Sequence, residues 1–294
     1  MKPTQRRQAL IWLSCALAFV PASSFAESGR KRSRSDRDIH AIGNRKVAYL
    51  PPERYPLQAE RTMGGTESAA FEQSTSILKD EKTQAFVERL AKRIADNSDV
   101  QMPITIRILD RAEVDEFVLP GGHLYVTHGL LLKVQSEGEL ASALARGVAH
   151  TALRSALYEI EKKKLMRILF AGTDLGMDSL LILDLKRREE LDADYYGVQY
   201  LYKAGYDPEC FVDFLKSVSV RNSASGSSGR IPLSPFPPLR DRLKALEKEI
   251  RASLPMRDGA VRTTPEFKEF HEWVLGLPLP KPEGNAGAEA DSTV

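Results

Sequence analysis

The sequence predicts an α+β fold, rich in helix with a small sheet, and three observations carry that prediction. Apolar residues recur at helical spacing over several long stretches, β-branched residues are concentrated in one short alternating run, and the composition is that of a packed chain. Of 294 residues, 42% are apolar and 28% charged, enough for one good-sized domain with extensions or for two small ones.

The N-terminus reads as an export signal. Lys2, Arg6 and Arg7 precede an apolar run from Ala9 to Val20, and Pro21 leads into small residues ending Ser24-Phe25-Ala26. A charged start, an apolar centre of about a dozen residues and a small-x-small site predict cleavage after Ala26. A bilayer span needs roughly twenty apolar residues, which disfavours the alternative of an uncleaved anchor. Lipidation at Cys15 is a second alternative, but Trp12-Leu13-Ser14 is a poor approach to a lipidated cysteine. Residues 1–26 are therefore expected to be a signal peptide and the protein to be exported to the periplasm or cell envelope. Cys210 is then the one remaining thiol, and no intramolecular disulfide can form.

Residues Ser28 to Arg37 are basic and serine-rich, and Pro51, Pro52 and Pro56 follow. Residues 27–73 are expected to form a disordered basic and proline-rich arm. Regular structure is predicted from Ser74, where Ile77, Phe86, Leu90 and Ile94 recur at helical spacing. Ile104 to Leu109 alternates as a strand does, and Leu124 to Thr127 is a second strand after the turn Pro120-Gly121-Gly122. Ser136 with Glu139 forms a capping box for a helix running to about Leu157, with Leu140, Ala143, Leu144 and Gly147 on its apolar face. A long helix from Leu180 to Ala204 stops at Gly205, with Pro208 beyond. Asn222 to Gly229 is a loop, and Leu239, Leu243, Leu246 and Ile250 mark a last amphipathic helix. These limits predict a domain over 74–255 and a C-terminal extension over 256–294, disordered from Pro280 onward.

Composition excludes several function classes. A net charge of +2 provides no field for nucleic acid, and five His with two Cys are too few for a zinc ribbon or a disulfide scaffold. No G-x-S-x-G signature for a serine nucleophile is present.

Four blocks in order carry a more specific message. They are Phe117-Val-Leu-Pro-Gly-Gly-His-Leu-Tyr-Val-Thr-His-Gly-Leu-Leu131, Ser136-Glu-Gly-Glu-Leu-Ala-Ser-Ala-Leu144, Arg188-Glu-Glu-Leu-Asp-Ala-Asp194 and Gly205-Tyr-Asp-Pro208. This order resembles family forty-eight of the zinc peptidases, the HtpX and prenyl-protein endopeptidase relatives, and most of all its soluble periplasmic members. The similarity runs from about Leu78 to Leu254. The resemblance implies a zincin-like (gluzincin) core in which an H-E-x-x-H helix supplies two zinc ligands and the general base. A Glu on a later helix is the third ligand, an Asp four residues on supports a ligand histidine, and a further His stabilises the transition state.

Set against that pattern, the departures fall on the chemistry. The motif helix reads Ala145-Arg146-Gly147-Val148-Ala149-His150, so Arg146 stands at the first ligand and Gly147 at the base. His150 remains, as do Glu190 and Asp194, while Pro235-Phe236-Pro237-Pro238 puts Phe236 where the last histidine belongs. Two protein donors are left where a catalytic zinc takes three, and a guanidinium has no lone pair to offer. No cofactor is therefore expected, zinc being the cofactor if the competing reading of an unorthodox zinc endopeptidase holds. Arg146 is expected to meet Glu190 and Asp194 across the former metal site; alternatively it lies on the surface and Glu190 pairs with Lys186 or Arg187. His123 and His128 read as surface residues, although a site built from His123 and His150 is a conceivable rescue. His40 and His271 are peripheral, and Lys162 to Lys164 read as a solvated face or, alternatively, a membrane-surface contact.

In the family, the Phe117, Val118, Leu119, Pro120 strand edges the active-site cleft, where an extended peptide adds by main-chain pairing. That edge needs no metal. The expectation is a catalytically impaired peptidase-like protein that holds unfolded or envelope polypeptides, alone or beside an active peptidase relative.

Overall fold

A computed structural model describes residues 37–169, 180–219 and 237–280. The signal-type segment, the loop at 222–229, Phe236 and the tail beyond residue 280 lie outside them. In chain order, a 3-10 turn at Ile39–Ala41 is followed by α1 (Leu57–Gln73), α2 (Glu81–Ala95), β1 (Thr105–Leu109), β2 (Glu116–Leu119) and β3 (His123–Thr127). Then come α3 (His128–Lys133), α4 (Glu137–Leu153), α5 (Ser155–Leu169), α6 (Leu180–Lys203), α7 (Glu209–Ser219), α8 (Leu239–Ser253) and α9 (Pro265–Leu275). Many helices and one small sheet make this the helix-rich α+β core expected.

The sheet has three strands in the order β1-β3-β2, with β1 parallel to β3 and β2 antiparallel to it. Leu119 faces His123 across the turn, and Phe117 faces Tyr125. Gly121 and Gly122 make the turn at φ +80 and +87, a region closed to most side chains. One face of the sheet turns Leu124, Val126, Ile106 and Ile108 into the core. On the other face, Phe117 stacks on Tyr125 with centroids 5.1 Å apart, and Phe71 of α1 meets both rings edge-on.

Helix α4 is the centre of the molecule, and every residue in it except His150 is buried. It packs against α2, α6, α7 and β2, most extensively against α6. Small residues permit that approach. A Cβ at Gly147 would collide with the Leu124 Cδ1, and one at Gly197 of α6 would stand 3.3 Å from the Ala145 carbonyl. Ser136 caps α4 by accepting from the Glu139 N–H at 3.2 Å. The Glu139 carboxylate accepts from the Gln135 N–H at 3.3 Å, so the box closes one residue early.

Several expectations need correction. The helix predicted from Ser136 to Leu157 is two helices, divided at Arg154 in the left-handed region (φ 57, ψ 37). The arm proposed for 27–73 is not disordered over 37–73. Ile42, Val47 and Leu50 reach the core, and α1 is a 17-residue helix. Its apolar periodicity is weak, and distant polar ties help hold this segment. Arg45 donates to Asp99 at 2.6 and 2.8 Å and to Gln199 at 2.7 Å, and Glu60 accepts from Arg154 at 2.5 Å. Nor is the C-terminal extension without packed structure over 256–280, since Phe267, Phe270 and Val274 of α9 are buried and Phe86 stacks on Phe270. His128 is fully buried rather than on the surface, with Nδ1 3.4 Å from an Asp110 oxygen. Lys162 is buried too, donating to Glu189 at 2.8 Å, while Lys163 and Lys164 are exposed.

Candidate functional site

Four elements converge on one guanidinium. Arg146 lies on the buried centre of α4, Glu116 opens β2, Glu190 and Asp194 sit one turn apart on α6, and Arg242 projects from α8. Strand alternation turns Glu116 and Val118 toward α4 while Phe117 and Leu119 face the opposite side. The spacing of Glu190 and Asp194 puts both on the α6 face that packs against α4.

Arg146 donates through Nη1 to Glu116 and through Nη2 to Glu190. Its Nε lies 3.5 Å from an Asp194 oxygen. Asp194 is itself clamped by Arg242, whose Nε and Nη2 each donate at 2.7 Å. This is the two-pronged geometry in which a guanidinium best matches a carboxylate. The side chains of Arg146, Glu116, Glu190 and Asp194 are all at most 9% exposed.

Burial governs the protonation of this cluster. It opposes the charge on Arg146, but Glu116, Glu190 and Asp194 outweigh it and hold the guanidinium proton more tightly than usual. Burial also pushes Glu116 up, to about 7, against the opposing pull of Arg146. For Glu190 burial again acts upward, yet Arg146, with help from Arg242, holds the carboxyl below its ordinary value. Burial brings His150 down to about 4, so the imidazole is neutral at pH 7.

His150 lies beside the cluster, with Nε2 3.8 Å from the Glu190 Oε2 and Nδ1 3.3 Å from the Ser155 Oγ. The Glu190 oxygen nearest that imidazole is the one that accepts from Arg146. A catalytic zinc takes three protein donors and an open position. Here the residues present are one imidazole, carboxylates already bound to guanidinium groups (Glu116 and Glu190 to Arg146, Asp194 to Arg242), and a permanent cation with no lone pair. This donor set does not fit a catalytic zinc. Among the described residues, no group of three or more His, Cys, Asp or Glu side chains is disposed to hold a metal ion.

The residues predicted from sequence are thus brought together in part. Arg146, His150, Glu190 and Asp194 share one site, and Gly147 packs against Leu124 of the core. The predicted edge, Phe117 to Leu119, lies in β2, and Pro120 stands in the turn beyond. Phe236 lies outside the described residues. Lys186 pairs with Glu159 at 3.2 Å, not with Glu190. His123 is on β3, where its register partner is Leu119, and no contact joins it to His150 among the described residues. Two members of the cluster, Glu116 and Arg242, were missed. Glu116 could have been found, since alternation along its strand sets it on the face of Val118; Arg242 is one of several cations on a charged helix and carries no local signal.

The model of Peptidase family M48 matches residues 81–250, which contain β1 to β3, α4, α6 and the whole cluster. A putative beta-barrel assembly-enhancing protease of Vibrio cholerae is 23% identical over 180 residues, covering 54% of this chain and 37% of that protein. The beta-barrel assembly-enhancing protease of Yersinia pestis is 23% identical over 229 residues, 70% of this chain and 46% of its own. The mitochondrial metalloendopeptidase OMA1 of Schizosaccharomyces pombe is 25% identical over 207 residues, 65% of this chain and 60% of its own. The chain therefore spans between 37% and 60% of the length of these relatives. With a helix-rich core around a small sheet and a family match over more than half its length, the chain belongs to peptidase family M48.

Proposed function

We propose that this protein is a pseudopeptidase of the cell envelope, a metal-independent member of its family that holds polypeptides at the cleft instead of cutting them. The observation that carries the reading is the Arg146 guanidinium bound between Glu116 and Glu190. A cation seated there satisfies the carboxylates that would otherwise face a metal and would repel a divalent ion. At position 147 a glycine supplies no general base, and loss of positioned acid–base help slows a reaction by roughly 10² to 10⁴. The N-terminal signal pattern supports export, and no helix among the described residues is long and apolar enough to cross a membrane.

The surface proposed for polypeptide binding is the free side of β2. The Thr127 N–H donates to the Asp115 carbonyl, so the alternation of antiparallel pairing leaves the main chain of Glu116 and Val118 facing outward. An extended chain can pair there without a metal. Relatives named for assisting β-barrel assembly make envelope polypeptides the natural class of partner, and an active peptidase relative a second one.

The competing reading, a zinc endopeptidase with an unorthodox site, has one observation in its favour: His150 and Glu190 remain within 3.8 Å of each other. Metal analysis of the purified protein, with casein cleavage in the presence and absence of chelator, decides between them. Substoichiometric zinc and no chelator-sensitive cleavage are expected. One tightly held zinc per chain with chelator-sensitive hydrolysis would end the pseudopeptidase reading.

A further inference from the structure

The free side of β2 is short, and both of its ends are taken by the protein itself. At its start, the outward Glu116 N–H donates to the Asp115 carboxylate at 3.0 Å. At its end, the next outward carbonyl after Val118 is that of Pro120, and helix α1 covers it. Gly64 lies so close that a Cβ there would collide with the Pro120 oxygen. One turn earlier on α1, the Glu60 carboxylate bridges two elements. Its Oε1 accepts from the Gly121 N–H at 3.3 Å and its Oε2 from the Arg154 Nε at 2.5 Å.

Arg154 is built for that grip. It is the one non-glycine residue with positive φ among the described residues, a position where glycine is the usual choice. Its guanidinium makes three bonds to the segment before and within α1: to Glu60, to the Leu50 carbonyl at 2.5 Å and to the Tyr55 carbonyl at 2.8 Å. A left-handed backbone kept in place by two buried bonds and a part-buried third is the kind of outlier that points to a role. The helix it holds is otherwise lightly attached. Of its 17 residues only Glu60, Gly64 and Ser68 are buried, and it lies outside the matched family region. An element with so few buried contacts opens at low cost.

We propose that α1 is an autoinhibitory strap over the end of the β2 edge, and that Arg154 is its latch. With the strap closed, a partner can pair only with the Glu116 carbonyl and the main chain of Val118. Once it is displaced, the Pro120 carbonyl becomes available and the Phe117 and Tyr125 rings lose the cover of Phe71. This inference rests on the binding role proposed for β2 and adds its regulation.

Arg154→Gly tests it, because glycine suits the left-handed backbone while removing the latch. The probe is fluorescein-labelled, reduced and carboxymethylated lactalbumin, a permanently unfolded chain, measured by anisotropy alongside limited proteolysis of the 50–73 segment. The variant should be nicked in that segment and bind the probe roughly five- to tenfold more tightly, the equivalent of one main-chain hydrogen bond with its flanking contacts. Glu60→Gln keeps an acceptor for Gly121 but weakens the tie to Arg154, and should move both readings the same way by less, serving also if Arg154→Gly fails to fold. Wild-type binding with no gain in either variant overturns the strap and leaves the binding role standing. So does a segment that stays protected. If neither wild type nor variants bind the probe, the binding role falls and the strap falls with it.

Discussion

Replacing Arg146 by methionine keeps the length of the side chain and removes its charge, leaving Glu116 and Glu190 buried without their shared partner. Asp194 keeps Arg242 and is spared. Breaking a buried ion pair by deleting one member destabilises by about 3–5 kcal/mol. For a domain of this size each kcal/mol lowers the melting temperature by roughly 2–4 °C, so Arg146→Met should lose roughly 6–20 °C at pH 8. The loss must also depend on pH, and its sign can be worked out. Glu116 has a raised folded value, about 7, so its contribution to stability is present below its unfolded value and disappears as pH rises through 7. Glu190 is lowered in the native protein, so its contribution is present above its unfolded value and disappears as pH falls through the folded one. Without Arg146 the largest of the influences that lower Glu190 is gone, and burial shifts both carboxyls toward protonation. The variant should therefore recover much of its stability at pH 5, where both can be neutral. Thermal unfolding followed by circular dichroism at pH 5 and pH 8 checks this. A melting temperature unchanged at pH 8, or an equal loss at both values, would refute the claim that this guanidinium ties the site together.

Three other perturbations have defined outcomes. Gly147→Ala should cost about 1–3 kcal/mol, because the new Cβ collides with Leu124 Cδ1 and stands 3.2 and 3.4 Å from its Cδ2 and Cγ. Adding Leu124→Ala should make the double variant more stable than the two separate losses sum to, a coupling readable in urea unfolding. Arg45→Ala should cost about 3–5 kcal/mol by stranding Asp99, which also accepts from Tyr200 at 2.8 Å, and should free the residues before α1 to exchange their amide hydrogens. His150→Leu should flatten the acid limb of the stability curve. The imidazole is held down to about 4 by burial, so the unfolded chain binds the extra proton first and native stability is lost between about 6.5 and 4. Titration of that limb by urea midpoints at several pH values gives the answer, an unaltered slope counting against a buried neutral histidine.

What the sequence determined by itself was whatever is written locally. The strands at Thr105–Leu109 and His123–Thr127, the capped start of α4 and the long α6 stopping at Gly205 follow from periodicity, capping and turn chemistry. Arg146 and Gly147, which the resemblance to the family sets at the first-ligand and general-base positions, are also read from the sequence alone, because they fall inside a motif of fixed spacing. Tertiary structure decided the rest, for one physical reason: the remaining ties join residues far apart along the chain. Arg45 with Asp99, Glu60 with Arg154 and Arg146 with Glu116 are 54, 94 and 30 residues apart, and no local pattern says which residue each will meet. A polar stretch rich in proline therefore looked like a disordered arm, whereas buried charge pairs hold it against the core and lay α1 across the end of β2. Composition reports how much apolar surface a segment can bury; it carries no record of the charged groups that distant residues will supply.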